Sequence, residues 1–182
     1  MCINNKEIVN YKSLNRLARK NSVVIIGSTY AKEMPVGELK QAFGIISDIY
    51  NRSLTDLSVF EAEDIIIGIM KDLLPKKIVL QLGETDLEDG THTVEEVIDE
   101  ITKIITKCKK LDKTIKIVNV SINNLSDKSI ESNFNAELEK LSKKMHCTYA
   151  DISTSTEEDP THIQSFRRLK YFMVDDIAFQ IM

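Results

Sequence analysis

Hydroxyl and carboxylate side chains stand directly behind two short apolar runs of this 182-residue chain. Gly27-Ser28-Thr29-Tyr30 follows Val23-Val24-Ile25-Ile26, and Gly83-Glu84-Thr85-Asp86 follows Ile78-Val79-Leu80-Gln81-Leu82. A hydroxyl fixed at the end of a buried strand can attack a carbonyl, provided a base takes its proton and N–H donors hold the oxyanion. The three histidines, His92, His146 and His162, have no i, i+4 partner and no His-Glu-x-x-His run. That spacing argues against a metal site. No Gly-x-Gly-x-x-Gly or phosphate-binding Gly-Lys-Ser/Thr loop occurs, so no cofactor is expected. Cys2, Cys108 and Cys147 match neither a metal-ligand spacing nor a disulfide framework, and read as reduced thiols, two of them packed into the fold.

The elements that must position these groups alternate along the chain. An amphipathic stretch from about Glu7 to Arg19 reads as a helix packed on the remainder. Residues 23–26 form a β-branched run stopped by Gly27, the pattern of a strand buried on both faces. Val36 to Phe43 reads as a short helix behind Pro35, and Ile45 to Tyr50 as a second strand. Ser58-Val-Phe-Glu61 has the spacing of a capping box and opens a helix ended by Pro75. Ile78 to Leu82 is the third strand. Thr93-Val-Glu-Glu96 is another capping box, with Val94, Val97, Ile101, Ile104 and Cys108 on one helix face behind it. Ile115 to Ile122 reads as a fourth strand, Phe134 to Met145 as a helix, and Thr148 to Ile152 as a fifth strand. This alternation predicts an α/β fold, a doubly wound three-layer α/β/α sandwich on a five-stranded parallel sheet. Length and the absence of a linker suggest one domain over 1–182, with an N-terminal helical segment (1–21) packed on it. Ligands of such sheets bind outside the carboxyl ends of the strands, which singles out the loops at 27–30, 51–58, 83–86 and 121–126.

Those loops resemble the sequence blocks of the SGNH (GDSL-type) hydrolases. Val23 to Val36 is similar to the first block, where a buried strand runs into Gly-Asp-Ser. Tyr50-Asn-Arg-Ser-Leu-Thr-Asp56 resembles the second, Tyr-Asn-Arg-Gly-x-x-Gly. Val79 to Leu87 resembles the third, Leu-Gly-Thr-Asn-Asp-Leu. Val174-Asp-Asp-Ile-Ala178 stands in the place of the last, Asp-Gly-x-His. The resemblance implies the flavodoxin-like SGNH fold and an esterase or acylhydrolase ancestry. Carried over residue by residue, it puts Thr29 at the nucleophile, Ser28 at the preceding aspartate, Asp56 at the oxyanion glycine and Thr85 at the oxyanion asparagine. Asp175 falls on the catalytic aspartate and Ala178 on the histidine. Loss of the base alone is worth orders of magnitude in rate. A carboxylate beside a developing oxyanion opposes it.

The resemblance therefore implies a catalytically impaired or inactive pseudo-hydrolase with a binding or regulatory role, taking a small-molecule or acylated ligand. One alternative is an active esterase in which Thr29 or Ser28 attacks and His162 is the base. Another is a structural or oligomerising α/β domain with a filled cleft. The plainer reading makes Thr29 and Thr85 strand-end hydroxyls, Asn51 and Arg52 loop-fixing groups, and Asp175 a turn cap. Asp56, Glu84, Asp86, Asp89, Asp175 and Asp176 are expected to share one acidic rim. Net charge is −4, with no basic stripe, so no nucleic-acid partner is expected. The longest apolar runs are too short to span a membrane. Met1 to Tyr11 has no apolar leader core, which suggests a cytoplasmic protein.

Overall fold

The computed structural model describes residues 5–123, 125–153 and 161–174. Five parallel strands form one sheet, in the order β2-β1-β3-β4-β5: β1 (Val23–Gly27), β2 (Ile49–Asn51), β3 (Lys77–Gln81), β4 (Lys116–Val120) and β5 (Thr148–Ala150). β1 and β3 are buried along their whole length, as the apolar runs at 23–26 and 78–80 require, and β3 buries Lys77 and Gln81 at its ends as well. Alternate residues of the central strands serve opposite faces. Val24, Ile26, Ile78, Leu80 and Ile117 meet α4 (Val59–Leu73), α6 (Val94–Leu111) and α7 (Lys128–Lys144). Val23, Ile25, Val79, Val118 and Val120 meet α2 (Thr29–Glu33), α3 (Val36–Ala42) and α8 (Ile163–Met173). Phe134 and Phe166, both fully buried, fill the two cores, each worth about 2–3 kcal/mol of burial. The fold is the expected three-layer sandwich.

α1 (Asn5–Asn15) adds Ile8 and Tyr11 to the first of these cores and packs against α4. It stops short of the expected Arg19; three turn hydrogen bonds over residues 13–18 replace the helix. β2 is also shorter than the run from Ile45. Gly44 adopts φ +62°, Ile45 N–H bonds back to Lys40 O, and Ile46 is exposed, so these residues close α3 instead of pairing with β1. The Thr93/Glu96 capping box forms with both reciprocal bonds. Ser58 does cap α4, accepting from Phe60 N–H. No reciprocal box with Glu61 forms, because Glu61 N–H goes to the Ser58 backbone carbonyl; the Ser58 proton goes to Asp86.

In this strand order the chain runs from β1 outward to β2 on one side, then crosses back through α4 to β3 on the other side of β1. The gap above the carboxyl ends of β1 and β3 is the switch point at which doubly wound sheets bind ligands. The first and third loops singled out by sequence open there.

Candidate active site

The backbone at the switch point is drawn tight before any side chain is placed. Ser28 N–H bonds to Gln81 O across to β3 at 3.2 Å, and Leu54 N–H bonds to Gly27 O at 3.1 Å on the other side. Gly27 permits this closeness, because a Cβ there would lie 2.6 Å from both Ala31 Cβ and Gln81 O. Sequence places Gly27 at a strand end; the close approach that demands glycine is a tertiary fact.

Thr29 opens α2. Its hydroxyl donates to Asp56 Oδ1 at 3.0 Å and accepts from Asp56 N–H, also at 3.0 Å. Asp56 holds φ +52°, the left-handed region that favours glycine and that aspartate tolerates. Asp56 therefore holds a backbone conformation that suits glycine while carrying an exposed carboxylate. Ser28, one residue earlier, shares a 2.6 Å hydrogen bond with Thr85 on α5 (Glu84–Glu88). Gly83 precedes that short helix at φ +104°, packed so tightly that a Cβ would meet the Phe134 ring at 2.8 Å. Ser28, Thr29, Asp56 and Thr85 thus come together, in two bonded pairs on consecutive residues. Asp175 and Ala178 lie outside the described residues, as does Asp176.

Around these pairs the loops are fixed from behind. Asn51 donates its amide to Ala31 O at 2.7 Å and accepts from Ser53 N–H at 3.0 Å, so it holds the second loop to α2. Arg52 is buried between the rings of Tyr11 and Tyr50, donating to Asn15 Oδ1 at 2.8 Å and Asn51 O at 3.0 Å. Burial pushes its guanidinium pKa down. Tyr11 OH donates to Ser53 O at 2.7 Å and receives Lys32 Nζ at 2.8 Å. Lys32 also pairs with Glu7. Helix α1 therefore grips both loops that carry Thr29 and Asp56.

The acidic rim is smaller than expected. Asp86 is buried and turned inward, accepting from the Ser58 hydroxyl and Val59 N–H to cap α4. Its short side chain finds two donors at the exposed start of a helix, which outweighs exposure to solvent. Asp89 is exposed, and its two bonds from Thr91 hold its carboxyl below the usual range. Glu84 is half-buried; desolvation pushes its carboxyl above the usual value, with Glu33 and Glu88 adding repulsion.

His162 stands at the N-cap of α8 with φ +55°, buried, its ring edge-on to Tyr30 at 4.5 Å between centroids. Tyr30 directly follows Thr29 in the chain. His162 closes Asp159-Pro160-Thr161-His162, the Asp-x-x-His spacing of the hydrolases' last block, and α8 begins at the next residue. The expected place of that block, 174–178, lies outside the described residues beyond Val174. His92 stacks on Phe60 at the rim, 4.0 Å from Glu96, and His146 sits in the turn before β5. Among the described residues no group of three His, Cys, Asp or Glu could hold a metal ion. No helix among them is long and apolar enough to cross a membrane. Two cavities lie elsewhere. One of about 390 Å³ is at the amino ends of β3, β4 and β5, and one of about 240 Å³ lies between α1 and α4.

Solved structures share this fold over most of the chain. A Streptococcus pneumonia protein described as a platelet activating factor superposes with a TM-score of 0.77 at 16% identity, covering 93% of this chain and 92% of its own. A GDSL-like lipase from Bacteroides thetaiotaomicron gives 0.69 at 13% identity, over 91% of this chain and 96% of that one. AlinE4, an SGNH-hydrolase family esterase, gives 0.60 at 12% identity, over 87% and 85%. The fold is that of the SGNH hydrolases. No family model and no curated sequence matches this chain. At these identities the likeness concerns the SGNH fold, and the chemistry has to be argued from the residues.

Proposed function

We propose that this SGNH-fold chain is a binding protein whose ester-hydrolysing site is disabled. The observation that supports this most is the reciprocal pairing of Thr29 and Asp56. An attacking hydroxyl needs a base able to take its proton. The Thr29 proton instead goes to a carboxylate, a weaker base than an imidazole, and Asp56 N–H draws on one of the two lone pairs of the oxygen, which makes it a poorer nucleophile. The same N–H stands at the position from which the family's glycine would hold the oxyanion, so one bond occupies both nucleophile and donor. Losing one oxyanion donor costs roughly 3 kcal/mol, about 10²-fold or more in rate. A fixed negative charge beside the developing oxyanion adds to that. Thr85, at the asparagine position, spends its hydroxyl on Ser28.

A second reading is favoured by His162. Its place before α8, beside Tyr30, fits the histidine of the last block better than Ala178 does, and Asp159 then supplies the carboxylate. On that reading Thr29 attacks and His162 takes its proton once Asp56 swings away. Short-chain p-nitrophenyl esters separate the two. The binding reading expects turnover no faster in the wild type than in Thr29→Ala. Turnover that disappears in both Thr29→Ala and His162→Ala would overturn it and establish the second. The reading of one domain over 1–182 rests on length and the absence of a linker, and a small-molecule or acylated ligand rests on the SGNH resemblance.

A further inference from the structure

Gly68 stands in the interior of α4, where glycine weakens a helix relative to alanine. Neither usual reason for a glycine applies to it. Its φ is not positive, and nothing lies within 4 Å of the place an added Cβ would take. What the missing side chain does is open the hollow of about 240 Å³ between α4 and α1. Ile8, Ile65 and Ile69 wall that hollow with apolar surface. Asp64, Gly68 and Asp72 follow at four-residue steps along one ridge of α4, so a carboxylate stands one turn to either side of the glycine. The Asp72 carboxylate already accepts from Asn15 Nδ2 at 3.2 Å. The Asp64 carboxylate has no partner among the described residues, and neither has the Lys12 ammonium on the α1 wall.

We infer that this hollow binds an apolar α-amino acid, its ammonium on Asp64, its carboxylate on Lys12 and its side chain over Gly68. An unpaired anion and an unpaired cation on one apolar hollow are the complement of a zwitterion with an apolar tail. A plain amine would meet Lys12 with like charge, and a plain carboxylate would meet Asp64 the same way. The volume falls below the roughly 300–1,000 Å³ of drug-sized pockets, which suits one amino acid better than a peptide. The α1 wall also carries Tyr11 and Asn15, whose bonds to Ser53 O and Arg52 hold the loop that leads to Asp56. An amino acid wedged between α1 and α4 therefore touches the groups that fix that loop, as an effector would. This site is separate from Thr29 and stands whether or not the chain hydrolyses esters.

The test is a titration of the ¹⁵N-labelled full chain with L-leucine, followed by amide chemical shifts. Isoamylamine and 4-methylpentanoate are the matched amine and acid. Saturable shifts at Tyr11, Lys12, Gly68 and Ile69 are expected with leucine. Either fragment should bind at least roughly tenfold more weakly, the scale of one lost charge-assisted bond. Lys12→Gln and Asp64→Asn, both at exposed positions, should each weaken leucine binding by about the same factor. Gly68→Leu fills the floor of the hollow and should abolish binding. The two exposed-charge variants keep the test decisive should Gly68→Leu fail to fold. No saturable shift with leucine, equal binding of either fragment, or unchanged affinity in Lys12→Gln or Asp64→Asn would overturn the inference. Shifts confined to Ser28, Thr29 and Thr85 would overturn it as well, because they put leucine at the strand ends instead.

Discussion

Gly27→Ala should destabilise the protein by forcing β1 and β3 apart at the point where the site is built. The added Cβ would stand 2.6 Å from Gln81 O and 2.6 Å from Ala31 Cβ, against ordinary contacts of 3.4–4 Å. Neither neighbour is the free end of a flexible side chain: one is strand backbone, the other a Cβ fixed to α2. Relief requires a strand or helix shift of about an ångström, the kind of overpacking that costs about 1–3 kcal/mol. The same shift stretches the Ser28 N–H to Gln81 O bond, worth roughly 1 kcal/mol. Alanine recovers about 0.5–1 kcal/mol by restricting the unfolded chain. The net loss is about 1–3.5 kcal/mol, centred near 2. With a urea slope of about 2 kcal/mol per molar, the unfolding midpoint should fall by about 1 M. Gly68→Ala is the matched control. It lies inside α4 with nothing within 4 Å of the place an added Cβ would take, and the midpoint should rise by a few tenths molar, roughly 0.5–1 kcal/mol. A fall of less than about 0.3 M for Gly27→Ala would refute the argument that close approach dictates this glycine.

Two further outcomes follow from buried titratable groups. Burial, with Glu33 and Glu88 adding repulsion, raises the Glu84 carboxyl above its unfolded value. The folded state then holds a proton the unfolded state releases, so stability falls as pH rises from the ordinary carboxylate value through the raised one. Glu84→Gln should therefore melt higher than wild type at neutral pH and equal to it in acid; a difference that is constant or grows toward acid would remove the cause assigned. Cys108 is fully buried and its thiol is pushed up to about 12, chiefly by desolvation. Iodoacetamide at neutral pH should label it only at the rate of unfolding, read by mass spectrometry, and labelling of the native protein as fast as a free thiol would contradict its placement.

Much of this scaffold is legible in the sequence because its signals are local and redundant. β1 and β3 announce themselves as apolar runs stopped by glycines, and the Thr93/Glu96 box closes as its spacing requires. The misreadings share a cause. Ile45 looks like strand and Ser58-x-x-Glu61 looks like a box, yet Gly44 closes a helix, Ser58 accepts from Phe60 N–H, and Asp86 from 28 residues away takes the Ser58 proton. The short helices α2 and α5 are five residues each, too short for a periodic signal. At the site, sequence brings Thr29, Asp56 and Thr85 to neighbouring loops but cannot say that Thr29 and Asp56 bond to one another. Aspartates are the hardest residues to place from sequence. Asp56 stays exposed and Asp86 turns inward, and only the donors that tertiary structure delivers to each one distinguish them.

The left-handed backbone of Asp56 also bears on how readily this site could change trade. A torsion that suits glycine is kept under a different side chain, so the geometry of the loop is stored in the main chain and not in the residue that now occupies it. Aspartate and glycine codons differ at a single base. One nucleotide change would lift the carboxylate away without asking the loop to refold, leaving Thr29 and the loop's N–H free of that charge. The torsion of the loop and the charge it carries are therefore separable by one base, the first held by the main chain and the second by the side chain alone.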